Sequence, residues 1–232
     1  MGVRWNGDHP RGGHVEPRWI DRAYDAVLCR MGLRDAYELK QAGYLLEHGW
    51  FRTFEEKRPV DREGNPVPWM NYAMVDFLAE RARPGWRVFE YGSGASTAWW
   101  ARRVAAVVAC EHDQKWFEQM KTSYPPNVKP VFVPLDYDGD YCRAILKEEG
   151  EFDVVVSDGR DRVRCAVNAL PKLSKGGVVI LDDFEREKYA PAKTELAAHG
   201  FRCLALGGMK PRAYRESRTA VFYRPADNVL GL

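Results

Sequence analysis

The sequence predicts an α/β protein in which a mostly parallel sheet carries helices on both faces. Short β-branched segments alternate with helical ones over most of the chain, which is typical of parallel strands joined by crossover helices. No Pro-rich or Gly-rich linker interrupts residues 69–225, which favours one continuous domain. With 45% hydrophobic and 12% aromatic residues among 232, the chain can fill a sizeable core.

The N-terminal quarter predicts a helical extension ahead of this domain. Residues 1–15 lack periodicity and are expected to form a loose tail. Two helices follow, over residues 17–32 and 33–49, since Ile20, Tyr24, Val27 and Leu28 recur at helical spacing. A loop rich in charge and proline then leads to the next helix. The predicted boundary separates a tail and helical cap (1–68) from the main domain (69–232).

The main domain begins with a helix and continues as alternating elements. The helices are predicted at residues 69–85, 96–104, 114–124, 140–150, 162–177 and 190–200. The strands are predicted at residues 86–92, 105–113, 128–135, 152–159, 178–184, 201–208 and 218–225. The last two strands have no helix between them, which predicts an antiparallel pair at the C-terminal edge of the sheet.

The amino-acid composition limits the classes of partner that the protein is expected to bind. The net charge is +2, from 35 basic and 33 acidic residues, so neither nucleic acid nor an anionic membrane surface is expected to bind. The five cysteines are scattered, which predicts reduced thiols and a cytoplasmic protein. No apolar stretch approaches the ~20 residues of a membrane span.

One glycine turn stands out, in "RVFEYGSGASTAWWA" at residues 87–101. Such a turn can simply join strand to helix, or it can leave room for a ligand. Two observations favour the ligand. The turn follows the first strand of the alternating series, at the sheet edge where α/β proteins bind ligands. Glu111 ends the next strand, where a carboxylate can accept both hydroxyls of a ribose.

The turn also discriminates between nucleosides. A dinucleotide fingerprint has a third glycine where this sequence has Thr97, whose hydroxyl is expected to cap the helix. Glu90, two residues before the first glycine, would repel a pyrophosphate but attract a cationic amino-acid tail. This combination favours S-adenosylmethionine, with its ammonium and sulfonium groups, over a nicotinamide cofactor.

With these residues, "VFEYGSGAST" followed by "ACEHD" resembles motif I and the subsequent acidic residue of class I S-adenosylmethionine-dependent methyltransferases. The resemblance covers about residues 69–225 and implies a Rossmann-like, seven-stranded sheet. It also implies the cofactor-binding residues: Glu90, Gly92, Ser93 and Gly94 at the methionine moiety, Glu111 at the ribose, His112 beside the adenine, and Asp136 near the adenine amino group.

A second acidic cluster follows two later strands, in "VVVSDGRD" and "VVILDDF". Neighbouring parallel strands lie about 4.8 Å apart, so Asp158, Asp182 and Asp183 should meet at one rim. Two interpretations stay open. The acids bind a divalent cation such as Mg²⁺, which favours oxygen ligands, or Asp182 or Asp183 caps a helix while Asp158 faces solvent.

The same segment is similar to macrocin-type sugar O-methyltransferases, whose "DG…L…GG…DD" pattern carries a magnesium site. This resemblance implies that Asp158, Asp182 and Asp183 hold Mg²⁺. It leaves the general base open between Asp158 and Asp161, because Arg160 intervenes where the family has its base. Asp161 can equally cap the helix that begins at Arg162.

The resulting hypothesis is methyl transfer from S-adenosylmethionine to a hydroxyl of a small-molecule acceptor, with a sugar as one option. The alternatives are an inactive nucleoside-binding module and, less favoured, a nicotinamide-dependent oxidoreductase. The N-terminal helices could mediate homo-oligomerisation. Trp69, Trp99 and Trp100 are expected to pack in the core, and the basic loop around Lys210 is expected to be solvated.

Overall fold

The computed structural model describes residues 26–232, in two compact units that meet in sequence at Leu45 and Leu46. In the first unit, residues 26–30 are helical and helix α1 spans Arg34–Gln41. The predicted tail and the first part of the predicted helix 17–32 lie outside the described residues. The helix predicted over 33–49 is interrupted at Gly43, where φ is +97°, and helix α2 spans Tyr44–Glu47.

The second unit, Leu46–Leu232, contains the sheet. Its strands are β1 (Arg87–Tyr91), β2 (Ala106–Glu111), β3 (Val128–Phe132), β4 (Phe152–Ser157), β5 (Leu173–Leu181), β6 (Arg202–Gly208) and β7 (Ser217–Tyr223). They form one sheet in the order β3-β2-β1-β4-β5-β7-β6. The first five strands pair in parallel, and β7 pairs antiparallel with both β5 and β6. The predicted mostly parallel sheet with an antiparallel C-terminal pair is confirmed.

Helices cover both faces of this sheet. They are α3 (Trp50–Glu56), α4 (Tyr72–Arg81), α5 (Ala95–Ala101), α6 (Gln114–Met120), α7 (Arg162–Asn168) and α8 (Pro191–Ala198). Side chains of α4 and α5 pack in one core layer, and those of α7 and α8 pack in the other. Trp99 and Trp100 belong to the first layer and are 2% and 0% exposed, so the prediction that they pack in the core is confirmed.

The run of valines in β4 reflects burial on both faces. Val154 and Val156 pack in the layer beneath α4 and α5, whereas Val155 packs in the opposite layer. Successive side chains of a strand point to opposite faces, so a strand covered on both sides needs apolar residues at every position. β4 lies between β1 and β5, which puts its carboxyl end at the centre of the sheet.

Two predicted elements differ from the structure. Residues 140–150 form only a short 3-10 turn, Ala144–Lys147. The helix predicted over 162–177 ends at Asn168, and β5 already begins at Leu173. A register shift between Phe152 and Val154 accommodates this early start, and Ser174 Oγ donates to Asp153 Oδ1 at 2.8 Å. These tertiary contacts extend β5 through a Lys-Gly-Gly segment. From the local sequence alone, the same segment predicts the end of a helix.

Residues between 46 and 68 belong to the sheet-containing unit, which therefore begins upstream of the predicted boundary at residue 69. Trp50 Nε1 donates to Ala213 O at 3.1 Å, and Thr53 Oγ1 donates to Val60 O at 3.1 Å. Within residues 26–232, no helix has the length and apolar character needed to cross a membrane.

Candidate functional site

The first acidic residue of the candidate site is Glu90, in the central strand β1. Its side chain is fully buried and lines a cleft at the carboxyl end of the sheet. Thr97 Oγ1 donates a hydrogen bond to Glu90 Oε2, but Oε1 has no hydrogen-bond partner among residues 26–232. Burial raises the pKa of Glu90 to about 7. A buried, unpaired carboxylate oxygen facing a cleft is suited to a cationic ligand group.

The glycines after β1 serve different purposes. Gly92 has φ +93°, and a Cβ on it would lie 3.2 Å from Gly159 Cα, so the close approach of two turns requires glycine there. Gly94 has an extended φ of 163°, and its added Cβ would meet nothing closer than Trp116 at 3.9 Å. The fold therefore tolerates a side chain at Gly94, but that side chain would fill open space in the site.

Thr97 connects the turn to Glu90. It is the third residue of α5, and its hydroxyl accepts a hydrogen bond from Gly94 N at 3.0 Å while it donates to Glu90. The predicted capping role of Thr97 is confirmed, although Gly94 occupies the N-cap position itself. One hydroxyl thus stabilises the start of α5 and orients the buried carboxylate.

The second acidic residue, Glu111, ends β2 and is also buried. Its Oε1 accepts from His112 N at 2.7 Å and from Asp113 N at 2.9 Å. Its Oε2 accepts from Ser93 N at 3.0 Å and from Ser93 Oγ at 2.9 Å. A carboxylate has about four acceptor sites, so protein donors fill them all. A ligand hydroxyl can bind Glu111 only by displacing a donor, and the Ser93 hydroxyl is the mobile one.

These residues line one cleft of about 220 Å³. The residues that line it are Glu90, Gly92, Ser93, Ser96, Glu111, His112, Trp116, Asp158, Gly159 and Arg160. His112 lies at the wall, with its Nδ1 3.0 Å from Glu111 Oε1 and its ring 5.5 Å from that of Tyr141. The structure therefore brings most of the predicted nucleoside-binding residues together around one cavity.

A larger cavity of about 580 Å³ adjoins this cleft. The two share Ser93, Ser96, Trp116 and Asp158. The larger cavity is bounded mainly by apolar side chains, including Pro59, Pro66, Trp69, Ala95, Ala98 and Met120. Asp158 therefore lies at the junction between a small acidic cleft and a larger apolar cavity, a combination typical of sites for two ligands.

The second acidic cluster is held by basic side chains of the same chain. Arg162 Nη2 lies 2.9 Å from Asp158 Oδ1 and 3.3 Å from Asp183 Oδ2. Lys210 Nζ contacts Asp183 Oδ1 at 2.5 Å and Asp182 Oδ2 at 3.7 Å. Both cations are largely buried, with side chains 6% and 16% exposed. The basic loop residue expected in solvent is therefore an internal counterion.

The pKa values of the three carboxyl groups in this cluster are shifted in different directions. Burial raises the pKa of Asp158 and of Asp182, and each also feels a neighbouring aspartate. Burial works the same way on Asp183, but Lys210, Arg162 and Arg186 outweigh it and lower its pKa. The result is a salt-bridged Asp183 beside an Asp158 that holds its proton more strongly than an ordinary aspartate.

The predicted magnesium site does not fit this arrangement. The three carboxylates meet at one rim as expected, but Arg162 and Lys210 occupy the space between them. Thr219 Oγ1 donates a hydrogen bond to Asp182 Oδ1 at 2.5 Å, so a further carboxylate oxygen already has a protein partner. In the described part of the chain, no group of three or more Asp, Glu, His or Cys side chains is arranged to hold a metal ion. The structure therefore does not support Asp158, Asp182 and Asp183 as metal ligands, because their counterions come from the protein.

Two further predicted residues serve the loops instead of the cleft. Asp136 accepts from Asp140 N at 2.7 Å and from Tyr141 N at 2.8 Å, which orders the loop after β3. Asp161 occupies the N-cap position of α7 without a capping bond from its side chain, which instead accepts from Asp138 N at 2.7 Å. Neither carboxylate lines the cleft or the larger cavity. A role in adenine binding or catalysis would need these loops to rearrange.

Sequence reasoning missed several residues of the site. Trp69 and Trp116 line the larger cavity and are 42% and 40% exposed, although Trp69 was expected in the core. Tyr124 lines the same cavity, and its buried hydroxyl has no hydrogen-bond partner in the described structure. The sequence feature that could have indicated Trp116 is its position in the first turn of the helix that follows Glu111. Lys210 had no local signal, because it reaches the cluster only through the tertiary fold.

Comparison with known proteins agrees with this geometry. Residues 89–184, from β1 to the end of the second acidic cluster, match the family model described as "Methyltransferase domain". A solved methyltransferase from Pyrococcus furiosus is similar at 20% identity and a TM-score of 0.50, covering 78% of this chain and 95% of that one. This likeness shows that the sheet has the methyltransferase fold, as the resemblance implied. No curated protein matches the sequence.

Two other solved structures are more distant. A TehB-like S-adenosylmethionine-dependent methyltransferase from Corynebacterium glutamicum is 17% identical, with a TM-score of 0.48 over 64% of this chain and 85% of that one. Precorrin-6y C5,15-methyltransferase from Geobacter metallireducens is 16% identical, with a TM-score of 0.47 over 64% and 86%.

The internal ion pairs predict that Mg²⁺ does not stabilise the folded protein. A ligand that binds only the native state raises its thermal midpoint, so we expect no shift on adding millimolar Mg²⁺ and no heat of binding by calorimetry. Asp183→Asn is the matched control. A midpoint increase that this variant abolishes would show that the aspartates bind the cation after all.

The saturated Glu111 carboxylate predicts that Ser93→Ala binds S-adenosylhomocysteine more tightly than the parent protein. The substitution removes a competing donor worth one hydrogen bond, so we expect an affinity gain of roughly 2- to 10-fold by calorimetry. Ser96→Ala, which removes a hydroxyl beside Glu90 instead, should not give this gain. Unchanged or weaker binding by Ser93→Ala would show that Ser93 does not compete with the ribose.

Proposed function

We propose that this chain is an S-adenosylmethionine-dependent methyltransferase that methylates an oxygen atom of a small-molecule acceptor. The observation that carries the proposal is the pair of buried acids at the ends of β1 and β2. Glu90 presents an unpaired oxygen to the cleft, and Glu111 lies across the same cleft. The methyltransferase fold and the domain match over residues 89–184 support it.

The residues of the cleft fit the cofactor's chemistry. A cationic amino-acid tail would satisfy Glu90 Oε1, the buried polar atom that no described residue pairs. Ribose hydroxyls would take over acceptor positions on Glu111, and His112 would border the adenine. A pyrophosphate, in contrast, would meet two carboxylates in this cleft, which argues against a nicotinamide cofactor. When bound, S-adenosylmethionine supplies a methyl group on a positively charged sulfur.

The larger cavity is the proposed acceptor site. It shares four residues with the cofactor cleft, so an acceptor inside it would lie next to the methyl donor. Alignment of the acceptor oxygen with the methyl group, at about 3 Å, would provide much of the rate enhancement. The acceptor oxygen forms a bond to the methyl carbon while the carbon–sulfur bond breaks, with the electron pair of that bond staying on sulfur.

Asp158 is the proposed general base. It lines both cavities, and its raised pKa makes it a better proton acceptor than an ordinary aspartate. In the proposed step Asp158 takes the hydroxyl proton of the acceptor. Arg162, 2.9 Å from Asp158 Oδ1, would hold the carboxylate in place. Asp161 is not needed in this scheme, because its carboxylate is bonded to the Asp138 amide.

Cofactor binding tests the first half of the proposal. We expect S-adenosylhomocysteine, but not NAD, to bind by calorimetry. Affinity should increase from about pH 6 to about pH 8, because Glu90 has a pKa of about 7 and is charged only above it. Gly94→Val should weaken binding without unfolding the protein, since its backbone is extended and the added side chain enters the larger cavity beside Ser93, which lines both cavities.

Glu90→Gln is the control for the pH effect. This variant keeps the shape of the side chain but loses its charge, so its weaker binding should no longer vary over the same range. NAD binding in preference to S-adenosylhomocysteine would overturn the proposal. Normal binding by Gly94→Val would show that the cofactor does not extend into the larger cavity beside Gly94.

Substitution of Asp158 tests the second half. Asp158→Asn should lower the methyl-transfer rate by roughly 100-fold or more, the usual contribution of a general base, and leave S-adenosylhomocysteine affinity nearly unchanged. In the parent enzyme the rate should fall as the pH drops through the raised pKa of Asp158, because the protonated carboxyl cannot accept a proton. Transfer assays with a labelled methyl group measure both effects. A variant with full activity would remove Asp158 from the mechanism.

A further inference from the structure

The larger cavity contains features that the methyl-transfer proposal does not use. Two indole rings, Trp69 and Trp116, line it and are each at least 40% exposed. Large aromatic side chains that remain solvent-exposed at the wall of a concave site usually contact a ligand. We propose that the acceptor is a planar aromatic hydroxy acid, an inference that rests on the proposed function.

The orientation of Trp116 is fixed before any acceptor binds. Its Nε1 donates to Ser93 O at 2.8 Å, which ties the ring to the glycine turn. Trp69 lies just before the N-cap of α4, and the guanidinium of Arg212 is 6.0 Å from the centre of its ring. The only polar atom of each indole is its N–H, so both rings offer mainly apolar surface to the cavity. An aromatic ring can use that surface without leaving polar groups unpaired.

The other residues that line the larger cavity favour an aromatic acceptor over a sugar. Pro59, Pro66, Ala95, Ala98 and Met120 contribute apolar surface. A sugar carries a hydroxyl on most of its carbons, and each buried hydroxyl without a hydrogen bond costs free energy. Three polar side chains of the wall, Ser93, Ser96 and Asp158, also line the cofactor cleft. The other polar residues of the lining are Lys57, Arg58, Ser123 and Tyr124. The lining therefore favours a ring with one or two hydroxyls over a sugar.

Tyr124 provides a specific partner for such a hydroxyl. Tyr124 lines the cavity. Its own hydroxyl is buried close to the side chains of Ser93 and Thr97 and makes no hydrogen bond of regular geometry among residues 26–232. Burial raises the pKa of Tyr124, so the group stays a neutral donor. Asp158 lines the same cavity. An acceptor oxygen that reached both groups would receive a hydrogen bond from Tyr124 and give its proton to Asp158.

The acidic substituent is inferred from two basic residues of the cavity lining. Lys57 and Arg58 line the cavity at the end of α3. Arg58 is already paired with Glu56 at 2.6 Å. Lys57 forms no ion pair within the described residues, and its backbone oxygen is held by Arg212 Nη1 at 3.1 Å. A lysine fixed at the rim of an apolar cavity favours an anionic ligand group over a neutral or cationic one.

The test is binding of defined probes to the full chain in the presence of S-adenosylhomocysteine, measured by quenching of tryptophan fluorescence and by equilibrium dialysis. A dihydroxybenzoate is the probe, its amide is the uncharged analogue, and a dihydroxycyclohexane carboxylate is the non-aromatic analogue. We expect the benzoate to bind best and each analogue to bind roughly 3- to 10-fold more weakly. Equal binding of the benzoate and either analogue overturns the proposal.

Variants connect this preference to the cavity. Trp69→Ala should weaken benzoate binding by roughly 3- to 10-fold, Trp69→Phe should restore most of it, and Lys57→Gln should weaken the benzoate but not the amide. Tyr214→Ala removes an exposed aromatic ring outside the cavity and should change nothing. If Trp69→Ala retains parent affinity while still binding S-adenosylhomocysteine, the aromatic site is refuted and the proposed function survives. If the parent chain does not bind S-adenosylhomocysteine, the proposed function itself has failed.

Discussion

The constraint on which this site depends is the convergence of negative charge at the carboxyl ends of four parallel strands. β1, β2, β4 and β5 bring Glu90, Glu111, Asp158, Asp182 and Asp183 to one rim of the sheet. Each buried carboxylate must be hydrogen-bonded, paired with a cation or protonated. Hydrogen bonds satisfy Glu111 and cations pair with Asp183, whereas one oxygen of Glu90 has no partner among residues 26–232. The arrangement at each acid determines what that acid can do for a ligand.

The solutions divide the rim into two parts. On the side of β5, Arg162 and Lys210 pair with the aspartates, so this part is a structural ion-pair network. On the side of β2, backbone amides and the Ser93 hydroxyl satisfy Glu111. Glu90 lies between them with one oxygen unpaired. The ligand-binding part of the rim is thus the part whose carboxylates pair with no lysine or arginine among residues 26–232. There the carboxylate oxygens either accept hydrogen bonds or have no partner in the described chain.

The local features of the fold were predictable, and the long-range ones were not. The alternation of strands and helices, the Gly92 turn and the acids after β1 and β2 follow from short segments whose chemistry is local. The early start of β5 depends on pairing with β4 and could not be read from a Lys-Gly-Gly segment. The magnesium prediction lacks support for the same reason: Lys210 is 27 residues from Asp183 in sequence, and no local pattern indicates that it pairs with the cluster.

The pairing of β7 has a consequence for how the protein is made. β7 lies between β5 and β6, and its Thr219 hydroxyl donates to Asp182 while accepting from the buried amide of Asn71. Lys210 also lies beyond all five parallel strands in the sequence. A ribosome releases these residues after the five parallel strands, and domains tend to fold as the chain emerges. We therefore expect the nascent sheet to carry Asp182 without Thr219 and Asp183 without Lys210 until these residues arrive, so that a chain terminated before them stays unfinished at its core and open to proteolysis.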